Sequence, residues 1–167
     1  DEEGEMKKIF VDMDGVLTDF NKYYAGMFGV TPQEVKKDPD RTLYSRNWDK
    51  FVALRSFAYL DWHRGGLELV EYLETLPNVQ LCIMTSAGGF HRQREVMEQK
   101  LEWLVDHGIT WPAVVVPGRK YKAGFASHDA LIIDDTLDVC KDFVAKGGLA
   151  IHADREADVI ERLKEWV

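Results

Sequence analysis

The chain has 167 residues, which suits one domain with a small insertion, and its 46% apolar content supports a packed core rather than a disordered chain. Its 21 basic and 29 acidic side chains give a net charge of −8, which argues against stable binding to duplex DNA, where affinity comes largely from cation–phosphate contacts. A small phosphate ester is not excluded, because one local basic cluster and a metal are sufficient to hold it.

The first element is a strand over residues 7–12. Its end, Ile9-Phe10-Val11, is a short apolar run stopped by Asp and Gly, as in a parallel sheet covered on both faces. Asp12 and Asp14 leave this strand one residue apart, and Gly15 then permits a tight turn. Open α/β sheets bind ligands beyond the carboxyl ends of their strands, so both aspartates belong at the mouth of such a crevice. Close like charges disfavour joint ionisation unless a cation or a proton intervenes. An EF-hand would also begin Asp-x-Asp, but Val16 and Leu17 follow the glycine and Tyr23 stands at the loop's last position, so the calcium pattern fails.

Residues 18–29 then predict a helix ending at Gly29. Thr31-Pro32-Gln33-Glu34 predicts a second, with Thr31 as N-cap, Pro32 at the first position and Glu34 completing a capping box. Residues 36–46 are polar and read as a loop. Helical spacing returns over 47–57 with Trp48, Phe51 and Val52, and again over 67–76 after Gly65-Gly66. A crossover between parallel strands needs only one helix. The excess predicts a helical cap, residues 19–64, inserted after the first strand into a core formed by 1–18 and 65–167; a longer crossover with added helices is the alternative. From Val79 the pattern becomes regular. Strands are expected at 79–84, 113–116, 130–133 and 149–152, and helices at 91–107, 136–146 and 155–166, a doubly wound parallel sheet.

No apolar run approaches the roughly 20 residues needed to span a bilayer. The start shows no signal-peptide pattern; residues 1–5 are acidic and expected to fray, with Met6 a candidate natural start. Cys82 and Cys140 have the spacing of neither a zinc site nor a disulfide framework, so they read as small core residues and a cytoplasmic location is expected.

Three further stretches carry chemistry. Thr85-Ser86 follows the second strand, where a hydroxyl and the N–H groups of Ala87-Gly88-Gly89 can hold phosphoryl oxygens. Arg119-Lys120-Tyr121-Lys122 is a dense basic cluster before the fourth strand, and Asp134-Asp135 ends that strand. Each signal is weak alone: an ordinary turn, a solvated loop, a helix cap. Lys100, mid-helix, reads by default as a solvated residue.

In order and type, Asp12, Asp14, Thr85, Lys122, Asp134 and Asp135 resemble the motif set of the haloacid dehalogenase (HAD) superfamily of phosphotransferases. A narrower resemblance over most of residues 7–152 is to the small 5′(3′)-deoxyribonucleotidases and their bacterial and phage relatives. It is carried by Asp12-Met-Asp-Gly-Val-Leu-Thr-Asp-Phe20, Thr85-Ser86, Lys100-Leu-Glu-Trp103, Lys122-Ala-Gly-Phe-Ala126, Leu131-Ile-Ile-Asp-Asp135 and Gly147-Gly-Leu-Ala-Ile-His152. The resemblance implies a Rossmann-like three-layer α/β core and Mg²⁺-dependent removal of phosphate from deoxynucleoside monophosphates. In that scheme Asp12, the Asp14 main-chain oxygen and Asp134 hold the metal, and Asp135 orders its water shell. Asp12 is the nucleophile, Asp14 the acid and base, and Lys122 and Thr85 neutralise and orient phosphate. Phe20, Ser86, Lys100 and Trp48 are the expected substrate contacts, with Phe51 and Phe57 further candidates for a base pocket. The alternatives are a HAD phosphatase for another small metabolite or a nucleic-acid phosphate end, and a non-catalytic phosphoacceptor or inactive binding relative. The expected partner is a small nucleotide; a membrane and stable duplex nucleic acid are not expected, and a homodimer is left open.

Overall fold

The computed structural model describes residues 6–89, 91–154 and 158–166. Five strands form one parallel sheet: β1 (Lys7–Val11), β2 (Val79–Ser86), β3 (Ala113–Val116), β4 (Ala130–Asp134) and β5 (Leu149–His152), in the order β3-β2-β1-β4-β5. The chain moves outward from β1 through β2 to β3, then returns to the other side of β1 for β4 and β5. The order therefore reverses between β1 and β4, and a crevice opens at such a switch point. Asp12 follows β1 and Asp134 ends β4, so the two acids stand on either side of it.

The side-chain alternation of a strand explains the layering. Ile9, Val11, Leu131 and Ile133 face one core, shared with Tyr24, Phe51, Leu73, Val96 and Trp103 from the helices on that side. Phe10, Met84, Ile132, Val139 and Phe143 form the other, under α6 (Leu137–Ala145). Both faces of β1 and β4 are thus buried, which is why these strands read as continuous apolar runs.

Between β1 and β2 lie α1 (Phe20–Phe28), α2 (Pro32–Lys36), α3 (Thr42–Ala53), a 3₁₀ turn (Ser56–Tyr59) and α4 (Gly66–Leu73). The segment leaves and re-enters through paired backbone: Asp19 N–H donates to Asp61 O at 3.0 Å, His63 N–H to Leu17 O at 2.7 Å, and Thr18 bridges Trp62 antiparallel. Its helices share the larger hydrophobic core with the sheet rather than forming a separate one. The Thr31–Glu34 capping box is present, with Pro32 at the first helical position.

Several boundaries differ from expectation for local reasons. The expected loop at 36–46 ends early, because the Asp40 carboxylate accepts from Thr42 N–H at 2.9 Å and α3 starts there. The expected helix over 47–57 is split, because Arg55 adopts φ 59° and the chain re-forms as a 3₁₀ turn. Strand β2 runs on through Thr85 and Ser86 because β3 pairs with both. Helix α5 spans Gln93–Asp106 and α7 spans Val159–Trp166; the expected start of the last helix at Arg155, and residues 1–5, lie outside the described residues. No helix among the described residues is long and apolar enough to cross a membrane.

Gly148, between α6 and β5, gives a steric test of the smaller core. A Cβ there would lie 2.4 Å from the ring of Phe143, which is fully buried. Gly148→Ala should lower stability by about 1–3 kcal/mol, the usual range for overpacking, read as a lower urea midpoint at unchanged slope. Gly124→Ala, which meets nothing within 4 Å, should leave the midpoint in place.

Candidate active site

The turn after β1 is wound around one carbonyl. Met13 O accepts from the N–H groups of Val16, Leu17 and Thr18 at 3.0, 2.8 and 3.0 Å, and Gly15 N–H donates to Thr18 O at 2.8 Å. Gly15 has φ +86°, and a Cβ on it would fall 2.0 Å from Asp135 Oδ2. Only glycine satisfies both the backbone angle and this approach of the carboxylate from the end of β4.

Lys122 lies in the 3₁₀ segment Arg119–Phe125, and its ammonium joins the two strand ends. It donates to Asp12 Oδ1 at 2.9 Å and to Asp134 Oδ2 at 2.7 Å, with all three side chains buried. Burial pulls the Lys122 pKa down, but Asp12 and Asp134 outweigh it and hold the ammonium above its usual value. Burial pushes the Asp12 carboxyl well above the usual carboxylate range; Lys122 opposes this, and Asp134 and Asp135 add to it. The neighbouring Lys120 is exposed and rests over the Tyr121 ring, so Lys122 is the lysine of this cluster that meets the acids.

A second cation completes the other side. Lys100 is 3% exposed, which overturns its reading as a solvated helix residue. Its ammonium donates to Thr85 Oγ at 2.8 Å and Ser86 O at 2.7 Å, meets Asp14 Oδ2 at 2.9 Å, and lies 5.1 Å from the centroid of Phe57. Asp14 Oδ1 accepts from the Thr18 hydroxyl at 2.8 Å. The Ser86 hydroxyl accepts from Gly88 N–H at 2.9 Å, which shapes the loop after β2.

These groups line one cavity of about 1040 Å³. Its inner end holds Asp12, Asp14, Thr85, Lys100, Lys122 and Asp135. Phe20, Phe57 and Trp48 line its wall, whereas Phe51 does not reach it and serves the core. Phe20 is partly exposed and stacks on Phe57 with centroids 5.5 Å apart and planes within 4°. Trp48 is a strut as much as a wall. Its indole N–H donates to His91 O at 2.9 Å, and a Cβ on Gly88 would lie 2.9 Å from its ring. The outer part of the cavity carries Lys36, Arg41, Tyr44 and Arg119, of which only Arg119, in the basic cluster before the fourth strand, lay in a stretch marked from the sequence.

Oxygen atoms of Asp12, Asp134 and Asp135 all lie within 4.8 Å of one another. Three carboxylates against one lysine leave an excess of negative charge, and hard oxygen donors suit Mg²⁺ or a similar cation. The residues present therefore fit a divalent ion. The Asp14 carboxylate stands outside this triad, engaged by Thr18 and Lys100, so only its main-chain oxygen is left for the role expected of it. Asp135 contributes its own carboxylate to the triad, a closer position than the outer one expected of it.

No family model matches the sequence, and no curated protein matches it. Solved structures do share its fold. A protein described as a HAD-hydrolase, YfnB of Bacillus subtilis, solved with magnesium, superposes with TM-score 0.62 at 16% identity over 97% of this chain and 98% of that one. A Thermotoga maritima protein named for β-phosphoglucomutase gives 0.57 at 15% over 97% and 100%. A hydrolase from Streptococcus pneumoniae TIGR4 gives 0.55 at 15% over 98% and 100%. The chain thus has the Rossmann-like α/β fold shared by these three structures.

The acidic triad predicts a linked dependence on pH and metal. Asp12 has a raised folded pKa, so in the metal-free protein its contribution to stability is fully present below the unfolded carboxylate value and is lost as pH rises through the folded one. A divalent ion needs the deprotonated acids. Mg²⁺ should therefore raise the melting temperature more at about pH 8 than at about pH 5. Asp134→Asn should remove most of that increment, and a pH-independent increment would place the ion elsewhere.

Proposed function

We propose that this chain is a Mg²⁺-dependent phosphomonoesterase of the HAD type that hydrolyses deoxynucleoside monophosphates through an aspartyl-phosphate on Asp12. The observation that carries the reading is the Lys122 ammonium bridging Asp12 and Asp134 beside Asp135, with Lys100, Thr85 and Asp14 in the same cavity. A receiver-type phosphoacceptor would keep its acidic pair on the first strand and the acceptor on a middle one. Here both acidic pairs lie at the ends of β1 and β4, which disfavours that alternative.

Each residue has a task set by charge. A phosphate monoester is anionic and repels a carboxylate nucleophile. Bound at Asp12, Asp134 and Asp135, Mg²⁺ would supply positive charge that screens this repulsion and polarises the phosphoryl group. Lys122 keeps Asp12 fixed next to the reacting phosphorus and, together with a bound cation, would favour its ionised form. The Asp12 oxygen attacks in line, the bond from phosphorus to the sugar oxygen breaks, and the sugar leaves. Asp14 hands a proton to that oxygen and later takes one from the water that cleaves the acyl phosphate. Lys100 and Thr85 stabilise the phosphoryl oxygens from the opposite side. Residues 19–64 act as the cap that limits the leaving group and excludes water.

The nucleoside part of the proposal rests on the aromatic wall. Phe20 presents a partly exposed ring braced by Phe57, a platform suited to a base, with pyrimidines such as dUMP and dTMP the expected preference. Phosphate release across deoxynucleoside and sugar phosphates, with Mg²⁺ and with chelator, tests the reading. The nucleotides should be turned over only with metal, and Asp12→Asn should abolish turnover without changing the melt. Turnover of sugar phosphates with none of nucleotides would leave a HAD phosphatase and reject a nucleotidase.

Phe20→Ala separates platform from packing. Stacking on a base is worth about 1–3 kcal/mol. The variant should therefore lose roughly 5- to 150-fold in kcat/KM on dTMP, with a much smaller loss on p-nitrophenyl phosphate. Equal losses on both would mean that the ring only supports the fold.

A further inference from the structure

The inner lysines are already committed: Lys122 to Asp12 and Asp134, Lys100 to Asp14. The outer cations of the same cavity are not. Lys36 comes from the last position of α2, Arg41 precedes α3, and Arg119 opens the 3₁₀ segment after β3. Three separate parts of the chain thus bring positive charge to one wall. Among the described residues, none of the three forms an ion pair with a carboxylate. Lys36 and Arg41 lie over the Tyr44 ring, 5.2 and 5.3 Å from its centroid. They are also close enough to be felt electrically: desolvation first, then Arg119 and Arg41, pulls the Lys36 pKa down.

Grouped like charges repel, and this chain has an excess of acids, 29 against 21 bases, with which to neutralise them. Its surface would ordinarily intersperse the two signs. The cavity is also large. At about 1040 Å³ it stands at the upper end of the roughly 300–1,000 Å³ usual for small-molecule sites. It has room for a leaving group with a charged far end. A guanidinium presents a planar fork and an ammonium a mobile point charge, a pairing suited to phosphate oxygens.

We infer that Lys36, Arg41 and Arg119 form a second phosphate subsite, so that the substrate is a bisphosphorylated small molecule whose scissile phosphate meets Asp12 while its other phosphate meets this wall. The inference rests on the phosphatase reading above and extends its substrate class from deoxynucleoside monophosphates to nucleoside 3′,5′-bisphosphates, which become the preferred substrates. Hydrolysis consumes one water, releases inorganic phosphate, and leaves a nucleoside that still carries the outer phosphate.

The test compares kcat/KM for two matched pairs, a deoxynucleoside 3′,5′-bisphosphate against its 5′-monophosphate and a hexose bisphosphate against its monophosphate. The wild-type protein and the Lys36→Ala/Arg119→Ala double variant are measured in parallel, with melting curves on both. The wild type should favour the bisphosphate by about tenfold or more, the worth of a charge-assisted contact, mostly through KM. The preference should fall with added salt, and the double variant should bring the ratio close to one. A preference confined to the hexose pair, and lost in the double variant, would support the subsite and reject the nucleoside as its carrier. No preference in either pair, or one that survives the double substitution, would overturn the subsite, whatever the monophosphates show about nucleotidase activity.

Discussion

The structure depends on how it confines negative charge at the reversal of its sheet. Asp12, Asp134 and Asp135 converge there because β1 and β4 are neighbours and the chain leaves both at the same edge. Three carboxylates so placed repel one another, and burial makes the repulsion stronger. One ammonium partly offsets it. Lys122 reaches Asp12 and Asp134 at hydrogen-bond distance from a segment more than a hundred residues from Asp12. Full compensation needs another cation or a proton. The centre is therefore incomplete in charge, and a divalent ion or a proton would complete it.

The second ion pair does different work. Lys100 joins Asp14 to Thr85 and Ser86, and so ties the turn after β1 to the end of β2. Its helix is held over the sheet by neighbours on the same stripe. Gln99 donates to Val52 O at 2.8 Å, and the Trp103 indole N–H donates to Leu60 O at 2.8 Å. Those two bonds end on the chain that closes the helical layer. A single face of α5 thus positions a buried lysine and fixes the layer that covers it.

Much of this was legible in the chain. The strands announced themselves as apolar runs ended by acids or hydroxyls. Asp12, Asp14, Thr85, Asp134 and Asp135 follow such runs, and Lys122 lies in the basic cluster before the fourth strand, but it was the resemblance of the whole set to the HAD motifs that singled these residues out. What escaped depended on long-range packing. Lys100 read by default as solvated because its neighbours are charged, and only the resemblance marked it as a contact; Val96 four residues before it and Trp103 three after it form the stripe that signals its burial. The start of α3 escaped because it is set by one aspartate side chain rather than by glycine or proline. The outer cations escaped because they come from three distant segments, and no local pattern records that they meet.

Trp48 joins the helical layer to the loop beyond β2, since its ring fills the space left open at Gly88 and its N–H is bonded to His91 O. The same loop begins at Ser86, beside the Thr85–Lys100 contact. An outward swing of the helices cannot leave this loop behind unless the indole is first extracted from its glycine seat. Mechanically, the covering layer and the loop are geared together. A displacement of either one is then passed to the other through a single ring.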